Sequence, residues 1–115
     1  MTFLDVSAVT IPHDEWQEFL ESFSEQRHHR RVQLETHDIE TEETVLSGEL
    51  LLRSIDLDLE DEKNPRINIV VDSGNKVIKH ILFRPSRVVF YPSAPGAVEA
   101  LQIDSVHTNT KALFL

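Results

Sequence analysis

Cysteine is absent from this chain, and glycine is scarce, with 3 among 115 residues. Without thiols there is no disulfide framework, no thiolate zinc site, no iron–sulfur cluster and no cysteine nucleophile. So few glycines leave little material for phosphate-cradling loops, and GxGxxG, the P-loop and GxSxG are all missing. No apolar run approaches the roughly 20 residues that span a bilayer. The opening stretch MTFLDVSAVTIP carries no Lys or Arg and reaches an acid at Asp5, unlike a signal peptide. A soluble cytoplasmic protein without membrane association is the expectation. The length suits one domain, 1–115, with a core that needs neither disulfide nor metal.

Charge is abundant and unevenly spread. Residues 1 to 62 hold 17 acids and 4 Lys or Arg, a net of −13, whereas residues 63 to 115 hold 3 acids and 7 bases, a net of +4. The total of −9 disfavours nucleic acid and anionic membranes. The asymmetry itself would let one face of the molecule attract the opposite face of another copy.

Two hydrophobic periods organise the chain. Trp16, Phe19, Leu20 and Phe23 fall at i, i+3, i+4 and i+7, which predicts an amphipathic helix over about residues 12–27 with its stripe in the core. From Arg31 the period becomes two. Strands are expected at about 31–37, 44–53, 66–72, 76–83, 86–91, 97–104 and 110–115, with a hairpin turn at Ser73-Gly74-Asn75. In VLSGELLLR the alternation places Leu46, Gly48, Leu50 and Leu52 on one face. The parity flips before Ile55, so a bulge is expected near Arg53-Ser54. One helix and six to seven antiparallel strands make an α+β domain with the helix on a strongly curved sheet. An SH3-like or Sm-like small barrel is the favoured form and an open sheet the alternative.

The order IPxxxWxxFLxxFS, then VxLE, a histidine before an X-Pro strand and EALQIDS resembles a family of small bacterial proteins defined only as a domain of unknown function. Ile11, Pro12, Trp16, Phe19, Leu20, Phe23, Ser24, Val32, Leu34, Glu35, His80, Pro85, Val88 and Glu99–Ser105 carry the likeness. It extends over nearly the whole chain and implies a stand-alone bacterial protein. It supports the fold and brings no activity, cofactor or site with it.

The segment EQRHHRRVQLETHD concentrates the candidate chemistry. His28, His29 and His37 are candidate metal donors with Glu35. HExxH and HxxxH are both absent, and neighbouring histidines on a helix diverge by about 100°. Basic residues at a helix C-terminus also offset its dipole without any ligand. Arg30 and Arg31, with Arg84 and Arg87 of FRPSR, are candidates for phosphate or partner binding, since guanidinium suits bidentate contact with phosphate. Asp56, Asp58 and Glu60 mimic the start of a calcium loop, but Asp61 and Ile67 stand where its glycine and glutamate belong. His80 falls on an apolar strand face between Ile78 and Leu82. No catalytic residue or cofactor is assigned. The sequence points to a non-enzymatic binding or self-assembly module, a homo-oligomer or the partner of another protein, with the apolar strand KALFL as a candidate pairing edge. A small barrel that binds RNA or nucleotide, and a metal-dependent or small-molecule enzyme, are the alternatives.

Overall fold

The helical stripe and the period-two segments each form the expected element type in a computed structural model that describes residues 8–115. The reading of the first residues as unlike a signal peptide lies largely outside the described residues. Helix α1 (Trp16–Gln26) follows a single 3-10 turn at His13–Glu15. Trp16, Leu20 and Phe23 are buried, and Trp16 Nε1 donates to the Ile11 carbonyl at 2.8 Å. The helix stops before the basic segment. His28 and His29 therefore sit in a turn where His29 takes a positive φ of 69°, just beyond the helix end expected near residue 27.

Among the described residues there are eight strands rather than six or seven: β1 (Val9–Ile11), β2 (Arg31–Asp38), β3 (Thr44–Asp58), β4 (Arg66–Ser73), β5 (Lys76–Phe83), β6 (Arg87–Tyr91), β7 (Glu99–Asp104) and β8 (Thr108–Phe114). The added strand is β1, whose three residues are too few for alternation to register. The sheet order is β1-β6-β7-β8-β2-β3-β4-β5, and every pairing is antiparallel. β1 and β5 remain as edges, so the favoured closed barrel gives way to the open sheet. The physical reason lies in the filling. A small barrel is filled by its own strand side chains, whereas here three large helix side chains enter the same core.

The sheet is nonetheless strongly curled. Only Arg84, Pro85 and Ser86 separate β5 from β6, a link that reaches about 14 Å. A flat sheet would hold these two strands six spacings apart, about 29 Å. Curling brings the turn after β7 against the end of β5, where Val106 N–H donates to the Phe83 carbonyl at 3.2 Å.

Two irregularities set which residues face inward along β3. The register shifts between Leu52 and Ser54, at the place where the parity flip predicts a bulge, and β3 then continues to Asp58 instead of ending near 53. A second shift, between Val32 and Leu34 of β2, places two β3 residues, Gly48 and Glu49, opposite one. It puts Leu46 on the outer face beside Glu35, 58% exposed, while Leu50 is buried. Leu46 and Leu50 thus do not share the face that the alternation assigned them. The apolar end KALFL is also relocated: β8 is paired on one side with β7 and on the other with β2, so it offers no free edge. No helix among the described residues is long and apolar enough to cross a membrane.

Candidate functional site

Two arginines at the helix exit, Arg27 and Arg30, are spoken for. Arg27, one turn beyond Phe23, lays its guanidinium 3.7 Å from the centre of that ring. It then makes a two-pronged ion pair with Glu99 at the start of β7, with Nη2 to Oε2 at 2.9 Å. Arg30 Nη1 reaches the other carboxylate oxygen at 3.0 Å. Glu99 is 8% exposed. Its hydrogen bond from Arg27 holds the carboxyl below its ordinary value against the opposing effect of burial, and the charges of Arg27 and Arg30 add to the lowering. A buried carboxylate so fully paired is a clamp between helix and sheet, not a vacant anion site.

The remaining arginines lie elsewhere. Arg31 is exposed at the start of β2 opposite Leu51. Arg84 is exposed in the link to β6 with a φ of 45°. Arg87 Nε donates to Asp104 at 2.9 Å. Glu99 begins β7 and Asp104 ends it, which separates the basic segments near residues 30 and 85 by about 17 Å of strand. They do not form one patch.

The histidines are similarly dispersed. His28 Nδ1 donates to the Arg53 carbonyl at 2.9 Å, and its ring lies 3.7 Å from that of His29. His37 sits at the far end of β2, with Nδ1 3.0 Å from Thr44 Oγ1. Among the described residues no group of three or more His, Cys, Asp or Glu is placed to hold a metal ion.

The structure draws attention to surfaces that the sequence did not single out. A groove of about 540 Å³ runs between α1 and the outer half of β3, lined by Gln17, Glu21, Glu25, Arg53, Asp56 and Leu57 among others. A second cleft of about 340 Å³ lies under the loop after β6, between Tyr91, Pro95, Glu35 and Lys111. The largest anomaly is β5. On this edge strand Val77 is 56% exposed and Phe83 44%, and Ile78 and Ile81 are each 37% exposed. A signal for it was present in KVIKHILF, which is apolar at both parities. Such a strand is usually covered on both faces, yet here, among the described residues, its outer edge has no neighbouring strand.

Fold and surface together define a small antiparallel α+β unit with an open apolar edge. The model of the family of unknown function DUF5335 matches residues 7–115, and the chain belongs to that family. No curated protein and no solved structure matches it.

Proposed function

We propose that this protein is a non-enzymatic assembly module in which two copies join β5 to β5 across a two-fold axis, continuing the sheet from one subunit into the next. The exposed apolar edge of β5 carries this reading. Edge strands in monomers are normally short, charged or covered, and β5 has eight residues, four of them large, apolar and exposed.

Backbone alternation selects the register. The two-residue turn Gly74-Asn75 makes Ser73–Lys76 the closing pair. Lys76, Ile78, His80 and Leu82 therefore bond to β4, while Val77, Lys79, Ile81 and Phe83 turn their backbone groups outward, the Phe83 carbonyl being taken by the Val106 N–H. An isologous antiparallel pairing centred on Lys79 would stack like charges. Centring on His80 avoids this. It pairs Lys79 with the partner's Ile81 and Val77 with the partner's Phe83, and sets His80 opposite the partner's His80. This register forms four central backbone hydrogen bonds, flanked by apolar side chains.

The cysteine-free sequence makes a direct test available. A His80→Cys variant should form a covalent dimer on mild oxidation, because antiparallel non-hydrogen-bonded partners stand within disulfide range. A Lys79→Cys variant should cross-link far more slowly. Equal cross-linking of the two would overturn the register. A strict monomer by sedimentation from micromolar to millimolar concentration would overturn the assembly.

A further inference from the structure

β3 pairs with β2 up to Leu51 and with β4 from Leu51 onward, so strands flank it on both sides only at that residue. Beyond that point its β4 side stays paired through Asp58, while its other side has no strand among the described residues, because β2 begins at Arg31 opposite Leu51. Alternation turns the backbone groups of Ile55 and Leu57 toward this open side. The helix satisfies part of it. Ser24 Oγ accepts the Ile55 N–H at 2.9 Å, and His28 Nδ1 donates to the Arg53 carbonyl at 2.9 Å. These two bonds hold the C-terminal half of α1 against β3. The groove lies farther along, lined by Gln17 and Glu21 on the helix and by Leu57 on β3. No strand among the described residues pairs with Leu57 on that side, so its N–H and C=O and the Ile55 C=O face the groove.

We infer that this groove takes a short extended peptide segment carrying lysine or arginine, contributed by a protein partner that adds to β3 as a strand. A free strand edge beside a helix supplies backbone hydrogen bonds along one wall and side-chain selection along the other. The selection here is electrostatic. Glu21, Glu25 and Asp56 line the groove, and the one arginine among its lining residues, Arg53, is paired with Asp72 at 3.0 Å. The chain's own residues 1–7, MTFLDVS, carry an acid and no Lys or Arg, so they lack the matching charge. This surface is distinct from the β5 edge, and both can be occupied at once.

A fluorescent acetyl-Lys-Val-Lys-Val-Lys-Val-amide is the probe, read by fluorescence polarisation at physiological salt in a Lys79→Pro background that removes β5 pairing. Saturable binding is expected, at least ten-fold weaker for the Glu-Val counterpart and for the surface double variant Glu21→Lys/Glu25→Lys. The fully N-methylated peptide, which keeps the charge but cannot pair as a strand, should also bind at least ten-fold more weakly. In the amide spectrum of the protein, Leu57 should show one of the largest shifts. No saturable signal up to millimolar peptide overturns the inference. Equal binding of the N-methylated peptide overturns it as well, by reducing the contact to charge alone.

Discussion

The helix exit and the β5 edge invert the usual partition of residues in opposite ways. At the exit, Arg27 and Glu99 have side chains only 12% and 11% exposed. Along β5, Val77 and Phe83 are about half exposed. Buried charge and exposed large apolar surface are both informative departures, but they differ in what remains unsatisfied. Both Glu99 oxygens have partners, and the Arg27 guanidinium has Glu99 below it and the Phe23 ring beneath its face. Among the described residues, no strand covers the outer edge of β5, and only the Phe83 carbonyl at its end finds a partner within the subunit, the Val106 N–H. The first departure is closed within the chain and the second calls for another chain. Residue type alone would have ranked them the other way, since clustered arginines attract attention and a Val/Ile strand does not.

The largest effect expected on this contrast comes from opening the clamp. Glu99→Ala leaves Arg27 and Arg30 facing a pocket without their anion, and should cost about 3 kcal/mol in urea unfolding. Next is Lys79→Pro, which removes an outward N–H at an edge where proline is tolerated. Sedimentation should show the dimer weakened 100-fold or more, with monomer stability within about 1 kcal/mol of the parent. Acid titration should then separate the two regions by pH. His80 is lowered from 6.5 by burial. Its penalty is absent above pH 6.5, grows as the pH falls toward the lowered native value because only the unfolded chain takes up the proton, and is then constant. The dimer should loosen at lower pH, once the pH falls below the lowered native value and two imidazolium groups come face to face. Glu99, lowered from 4.5, contributes stability that is complete above that value and is lost as the pH falls through its native one. Unfolding at stepped pH should show the His80 phase vanish in His80→Asn and the Glu99 phase vanish in Glu99→Gln. The smallest effect belongs to Arg87→Ala. Its pair with Asp104 is half exposed on the arginine side, 53%, and its loss should cost about 0.5 kcal/mol or less.

What the sequence reveals tracks how local the cause is. The stripe Trp16, Leu20 and Phe23 forms one helical face within eight residues, and it is buried as read. The flip between Leu52 and Ile55 exposes its own bulge. Gly48 and Glu49 do not expose theirs, because Leu46, Gly48, Leu50 and Leu52 alternate cleanly and only the pairing with β2 shows that two residues oppose one. Likewise Arg27 and Glu99 lie 72 residues apart, and no spacing rule connects them. KALFL reads as a strand in any register, but alternation carries no information on whether a strand is central or at an edge. The open half of β3 is hidden for the same reason, since it depends on where a different strand begins.

The position of β8 has a consequence for the order in which the fold is made. β2 through β5 form one set of sequential antiparallel neighbours, while β1, β6 and β7 form another, and within the sheet only β8 touches both. The first set can zip up from nearest-neighbour hairpins as soon as it is synthesised. The second must wait for β6 to find β1, more than 70 residues earlier in the chain. Until residues 108–114 arrive, the growing chain holds two half-sheets with unpaired seams, and one further strand inserted between them completes the ladder. Loop-closure entropy makes that last step the slow one, and the interval before it is when this sequence is most exposed to pairing with the wrong chain.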